Sequence, residues 1–427
     1  MLQLLLPAAH AFCGTFVAGP GDELYNESSQ VVYARENGLT TLTLANDFQG
    51  DSLDFAVVIP VPAGIDEDSV RVVEPELVQT LEEFSSPRLV EYTCEDLHWW
   101  APPSPRSLGC AEYNLAAPEM DAMGAEGEGG AADDNVTVEA VFTEGEYLFT
   151  LISAEEGDGL QSWLNENGYT LGGDAADMLQ DYIDDGTWFL TAKVLLEDPL
   201  SSDRPLWLSP IQLTYESQAL SLPIRLGTLN STGYQEIILY GLTAEGDGAL
   251  GISNMRQVDI DTDCMLDEDL GSWYRAKLDE LENAWTIEHS WSPYHCDPCT
   301  PGGTLDPETV VELGVRDSEY PHFSRIFVRY SADQTEDLQL YTSGMYDQTQ
   351  RRYIRHDENL EAYYRVCDHD SIDENAGSCD EEWEELDAQA EAEWQEGNTA
   401  GGCASGSSRV ALAGLALLAA AALRFRI

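Results

Sequence analysis

Three runs near the start of the chain, residues 30–35, 39–44 and 53–61, have the length and patterning of strands, the last almost wholly apolar. Asn37-Gly38 joins the first two, a pair suited to the positive φ angles of a tight hairpin. Pro60 and Pro62 end the third run or place it at a sheet edge, because proline cannot donate to a ladder. The period then changes. Leu77, Val78, Leu81 and Phe84 share one face of a helix opened by Pro75, and residues 88–92 return to a strand pattern.

Residues 101–134 interrupt this order with prolines, Gly/Ala/Glu low complexity and few large apolar side chains, and are read as an exposed insertion. Gly127, Gly129 and Gly130 imitate a dinucleotide-binding loop, yet no apolar strand precedes them and no helix pattern follows. Beyond the insertion, strands are predicted at 136–142, 147–153, 187–196, 211–215, 220–225, 236–242, 323–330 and 338–341. Helices are predicted at 159–165, 174–183, 269–285 and 306–313. Short helices scattered among consecutive strands predict an α+β fold, mainly antiparallel and β-rich. The domain order expected is a signal segment (1–11), a β-rich lobe (12–100), the insertion (101–134), a second α+β lobe (135–366), an acidic stalk (367–402) and a C-terminal tail (403–427).

Composition narrows the function classes. The chain holds 79 Asp and Glu against 20 Lys and Arg, a formal charge of −59, while 43% of residues are hydrophobic and ten are Trp. Such a chain can bury a core, so wholesale disorder is excluded. Nucleic-acid binding is excluded as well, since affinity for phosphate comes from Lys and Arg. The acids are spread widely: nineteen lie between Arg106 and Lys193 with no base, and thirteen lie in 367–396.

The two ends predict a location. Residues 1–11, MLQLLLPAAHA, close on the Ala9-His10-Ala11 pattern of a signal-peptidase site, though the Lys or Arg usual at a signal's start is missing, which points to a displaced initiator. Residues 410–423 carry no polar side chain and are followed by Arg424 and Arg426. With Arg409 snorkelling and Phe425 and Ile427 included, they approach the length of a membrane span, basic end inward. The expected protein is therefore exported and anchored in the cell envelope through this tail, the membrane being its one partner legible in sequence. Ligand and protein partners are unspecified.

Nine cysteines suit an oxidising compartment. Apart from Cys403 in the tail there are eight disulfide candidates: Cys13, Cys94, Cys110, Cys264, Cys296, Cys299, Cys367 and Cys379. Proximity favours Cys94–Cys110 and Cys367–Cys379, with Cys13 left for Cys264. Cys296-Asp297-Pro298-Cys299 has the spacing of a thiol-exchange site, but Thr300-Pro301-Gly302-Gly303 blocks the helix that would activate the first thiol, so a structural disulfide is preferred. His289 and His295 could join these two cysteines as zinc ligands, a weak candidate because zinc sites usually draw ligands from two arms. Asp259, Asp261 and Asp263 have calcium-loop spacing, yet Cys264 and Leu270 replace the required Gly and Glu. No cofactor is expected beyond weak calcium binding. Hydrolase and phosphate-binding signatures are missing, and His322 beside Phe323 reads as a packed residue. The leading role is surface binding or structure; the rivals are an extracytoplasmic enzyme and thiol exchange at Cys296 and Cys299.

Several blocks taken together resemble a bacterial family catalogued as domain of unknown function 2330. They include Phe12-Cys13-Gly14, Ala45-Asn46-Asp47-Phe48-Gln49-Gly50-Asp51, Phe55-Ala56-Val57-Val58-Ile59-Pro60-Val61-Pro62, Trp163-Leu164-Asn165-Glu166-Asn167-Gly168-Tyr169, Cys296-Asp297-Pro298-Cys299 and Ser324-Arg325-Ile326. The resemblance implies exported bacterial proteins and carries no catalytic residues. The tail, with Gly402, Cys403 and the terminal arginines, is similar to myxobacterial C-terminal sorting signals.

Overall fold

The structure, a computed structural model, describes residues 15–18, 29–48, 55–98, 136–171, 175–195, 206–230, 233–262, 264–267, 269–295, 303–344, 349–350 and 352–399. The expected signal, insertion and tail, and Cys13, Cys110, Cys296, Cys299 and Cys403, lie outside the described residues. What is described forms two units: residues 15–91, 136–356 and 366–369 in one, and 92–98, 357–365 and 370–399 in the other.

Strands of the larger unit, in chain order, are β1 (Thr15–Ala18), β2 (Ser29–Glu36), β3 (Leu39–Phe48), β4 (Phe55–Pro62), β5 (Val70–Val72), β6 (Arg88–Val90), β7 (Val136–Glu144), β8 (Tyr147–Ala154), β9 (Thr187–Val194), β10 (Leu206–Trp207) and β11 (Ile211–Glu216). They continue with β12 (Ser221–Leu222), β13 (Tyr234–Thr243), β14 (Leu250–Ile252), β15 (Arg256–Gln257), β16 (Cys264–Leu266), β17 (Ala284–Trp291), β18 (His322–Ser331), β19 (Leu338–Thr342), β20 (Thr349–Gln350) and β21 (Arg352–Arg355). Helices over both units are α1 (Glu76–Ser85), α2 (Cys94–His98), α3 (Gly157–Glu166), α4 (Ala175–Asp184), α5 (Leu270–Asp279), α6 (Pro307–Glu312) and α7 (Asp380–Thr399).

Beside a small sheet β12-β19-β14 and another that includes β16-β21-β6, two large sheets dominate the larger unit. One runs β1-β4-β9-β8-β7 and is antiparallel throughout. The other runs β15-β17-β18-β13-β2-β3-β11-β5, with β10 beside β3 and β20 beside β17; it is antiparallel except at β2–β13 and β15–β17. Asn37 and Gly38 both take positive φ in the β2–β3 hairpin, as the pair predicts. Pro60 and Pro62 lie past the part of β4 that pairs with β1, so their missing donors disturb no ladder there.

The sheets face each other through one core, to which Phe55, Val57 and Ile59 of β4 and Val31, Ile237, Leu239, Ile326 and Val328 of the larger sheet contribute. Alternate residues point the other way. Ala56, Val58 and Phe189 pack under Leu160, Leu164 and Leu179 of α3 and α4. Val32, Ala34, Tyr240, Leu242 and Phe323 pack under Leu77, Leu81 and Phe84 of α1 and Val310 of α6. A fourth cluster joins Trp273 and Leu278 of α5 to Ala284 and Phe327. The layers thus run helix, sheet, sheet, helix. Gly157 permits the closest helix approach, since a Cβ there would lie 2.2 Å from the Ala176 carbonyl oxygen on α4.

Several expectations need correction. The helix read over 269–285 ends at Asp279; Asn283, at φ 46°, turns the chain into β17. β17 begins where that helix was expected to end, and its polar Thr286, Glu288, His289 and Ser290 are buried along with its apolar residues. The division into lobes at 101–134 is not a division of the sheets, because β4 pairs with β9 and β2 with β13 across it. The preferred cysteine pairings also fail. Cys264 is bonded to Cys367 and Cys94 to Cys379, at sequence separations of 103 and 285. Proximity in sequence was a poor guide because the backbone N–H of Cys367 docks on the Met265 carbonyl, beside Cys264.

In the smaller unit, residues 380–399 of the acidic segment form α7. Its Asp380, Glu381 and Glu382 occupy the first turn, where the helix dipole favours negative charge. The Trp383 indole donates to the Cys94 carbonyl at 2.6 Å and packs on Tyr363, whose ring lies 5.4 Å away. No helix among the described residues is long and apolar enough to cross a membrane.

Candidate functional site

The face of the larger sheet turned toward α1 and α5 carries a buried ionic network at the floor of a cleft. Register sets its parts: Tyr240 pairs with Arg325, Ile238 with Phe327 and Glu236 with Arg329 across β13 and β18. On the other flank a β-bulge falls between Ile287 and His289. Two residues of β17, Glu288 and His289, therefore oppose the single residue Arg325, an arrangement that re-aims side chains beside functional sites. Glu82 is supplied from above by the last full turn of α1, which stops at Ser86 because Pro87 follows.

Arg325 is the hub. Its Nε donates to Glu288 at 2.6 Å, and its Nη1 and Nη2 grip both oxygens of Glu82 at 2.6 and 3.1 Å. Nη1 also donates to the Tyr240 hydroxyl at 3.1 Å. Tyr240 in turn donates to Glu82 at 2.6 Å, as does the Ser86 hydroxyl, while Tyr274 of α5 donates to Glu288. The Arg325 and Glu288 side chains are 5% and 2% exposed, whereas that of Glu82 is 36% exposed.

Charge states follow from these contacts. Burial alone would raise the Glu82 pKa, but the Arg325 charge and the hydrogen bonds outweigh it and hold the carboxyl below its ordinary range. Burial pushes the Tyr240 hydroxyl far up, so it stays a phenol. For Arg325, burial favours loss of the proton, and its Tyr240, Glu288 and Glu82 partners reverse that, holding the guanidinium charged. The floor is thus two carboxylates around one guanidinium.

Above this floor lies a cleft of about 420 Å³. Its apolar lining is Ile238, Phe327, Leu270, Leu278 and Pro87, and its polar lining adds Ser29, Ser86, Tyr274, Glu236 and Arg275 to the network. At the outer end, Arg275 donates to both oxygens of Glu236 at 2.8 and 2.6 Å. Arg329 adds a contact to Asp279 at 3.3 Å.

His289, one of the weak zinc candidates, is buried between the rings of Phe84 and Phe323, with centroids 4.9 and 5.7 Å away. Burial first, then the charges of Arg88 and Arg325, lowers its pKa to about 3, so it is neutral at physiological pH. His295 is exposed and lies 3.2 Å from the Ser292 hydroxyl. Cys296 and Cys299, the other two weak candidates, lie outside the described residues, and no group of three metal-binding side chains is found among the described ones. His322 is buried as expected, 2.9 Å from Ser290. That pair lies on strands β17 and β18 at positions facing the opposite side of the sheet from Arg325.

Sequence reasoning did not find Glu82, Tyr240, Tyr274, Glu288 or Arg325. The usable signal was Arg325, one of two arginines in the mostly buried strand His322–Ser331, matched by a Glu-His pair inside Ala284–Trp291.

Comparison with known proteins places the chain without assigning an activity. No curated protein and no solved structure matches it. Residues 7–341 match the family described as "Uncharacterized protein conserved in bacteria (DUF2330)". As this match covers most of the chain and includes the whole floor of the cleft, the protein belongs to that bacterial family.

Proposed function

We propose that this is an exported, envelope-anchored binding protein that holds a small ligand in the cleft between α1 and α5. The observation that carries the reading is the cleft itself: about 420 Å³, apolar walls, and a few convergent polar groups on a rigid sheet. That combination is the usual form of a small-molecule site. Glu82, Tyr240 and Arg325 are held in fixed charge states, which suits recognition better than proton transfer near neutrality. Export is supported by the two disulfides and anchoring by the apolar tail with its terminal arginines.

Two experiments test the parts separately. Ligand-observed NMR of the full chain against a fragment library should yield hits that weaken in a Phe327→Ala variant. Hits indifferent to that change would reject the cleft. Deleting 403–427 should move the protein from the membrane to the soluble fraction; unchanged fractionation rejects the anchor.

A further inference from the structure

We propose that the ligand of this cleft is a small organic cation: a protonated amine carried on a short aliphatic stem. The inference rests on the cleft being the ligand site and adds the chemical class.

The floor is graded along the strands. From one end to the other, β18 presents Arg325, Phe327 and Arg329, and β13 presents Tyr240, Ile238 and Glu236. Alternate residues of a strand are about 7 Å apart. The cleft therefore has an apolar saddle, Phe327 and Ile238, about that far from a polar group at either end. Leu270 and Leu278 of α5 close over the same saddle. A neutral polyol would leave these surfaces poorly matched, while an aliphatic stem fits them.

Charge distinguishes the two ends. At the outer end Glu236 and Asp279 are balanced by Arg275 and Arg329. Among the ion pairs of the described residues, the inner end sets Glu82 and Glu288 against the one guanidinium of Arg325, with the Arg88 charge reaching the neighbouring His289. The exposed member of that trio is the carboxylate Glu82, and the guanidinium lies behind it. An incoming anion would meet Glu82 first and find Arg325 already donating to Glu82, Glu288 and Tyr240.

The hydroxyl groups point to the same class. Ser86 spends its proton on Glu82, and Tyr274 spends its own on Glu288. With its one proton committed, the Ser86 hydroxyl can meet a ligand only as an acceptor. An ammonium group offers three donors and no acceptor, the complement of such a lining. The surrounding field agrees in sign, since a chain of formal charge −59 concentrates cations near its surface.

The test uses the full chain at pH 7 with hexylammonium, hexanoate and hexanol as matched probes, read by calorimetry and by NMR shifts of cleft residues. Hexylammonium should bind at least tenfold more tightly than the other two. Glu82→Gln should weaken it several-fold, and Tyr274→Phe should weaken it less. A control, Glu381→Gln on α7, should change nothing; an equal loss there would reduce the effect to bulk electrostatics and overturn the inference. If hexanoate or hexanol shifts the cleft residues as strongly as hexylammonium, the cation class falls and the cleft stands. If none of the three probes shifts them, both fall. Thermal melts of each variant separate lost binding from lost folding, and Tyr274→Phe serves where Glu82→Gln fails to fold.

Discussion

Acidification from pH 7 to pH 5 should destabilise the larger unit through His289. Its pKa is depressed in the folded state to about 3, chiefly by burial and then by Arg88 and Arg325, while an unfolded histidine titrates near 6.5. Between those values the unfolded chain binds a proton that the folded chain refuses. The stability contribution is therefore complete above about pH 6.5 and is lost as pH falls toward 3. Each pH unit in that window costs about 1.4 kcal/mol, so pH 5 costs about 2 kcal/mol from this residue alone. Glu82, whose folded pKa also lies low, acts in the same direction but only near and below the ordinary carboxylate range. The interval from pH 6.5 to 5 thus isolates histidine. The assay is urea unfolding followed by tryptophan fluorescence at both pH values, for wild type and His289→Phe. Phenylalanine fits between Phe84 and Phe323 and removes the proton site. The wild type should lose about 2 kcal/mol more than the variant over this interval, and other histidines cancel in the comparison. Parallel pH dependence in the two proteins would refute the reasoning.

Three further variants probe the scaffold. Arg325→Met leaves Glu82 and Glu288 without their shared counter-ion and should cost about 3–5 kcal/mol by denaturant unfolding; near-neutral behaviour would show that the network is not charge-coupled. Gly157→Ala forces a methyl group against the Ala176 carbonyl and should lower stability by about 1–3 kcal/mol or more, with an unchanged melting temperature as the contrary result. Replacing both Cys264 and Cys367 by Ala opens a loop of 103 residues, for which chain entropy gives up to about 5 kcal/mol. Calorimetry that finds no loss would place that cross-link outside the cooperative core.

Local pattern carried the strands far better than it carried the site. Asn37-Gly38, the Leu77-Val78-Leu81-Phe84 stripe and the apolar run before Pro60 each encode their structure within a few residues, and each is found where expected. β17 escaped because the helical reading was carried on to Trp285, and its polar Thr286, Glu288, His289 and Ser290 are buried along with its apolar residues. The cleft escaped for a different reason. Glu82, Tyr240, Glu288 and Arg325 come from four separate segments, and only the pairing of β13, β17 and β18 and the Glu288 bulge bring them together. A single extra residue in a ladder has no signature in composition or period. The disulfides share this property, since both join residues more than a hundred positions apart.

The parallel pairing of β2 with β13 bears on how the chain acquires its structure. Ser29 meets Ile237 and Arg35 meets Thr243, so the strand made first waits for some two hundred residues before its neighbour exists. β13 in turn has an unfilled flank until β18 is available at His322–Ser331. Such long-range closure belongs to the slow class of folding reactions, on the order of milliseconds to seconds even in small domains. A nascent chain shorter than about 330 residues therefore cannot assemble the central sheet and should remain protease-sensitive. For a protein that we propose to be exported, the order of synthesis itself would keep the chain threadable until most of it has been made. Pulse proteolysis of chains truncated before and after β18 would show this as an abrupt gain of protection, and gradual protection along the series would count against it.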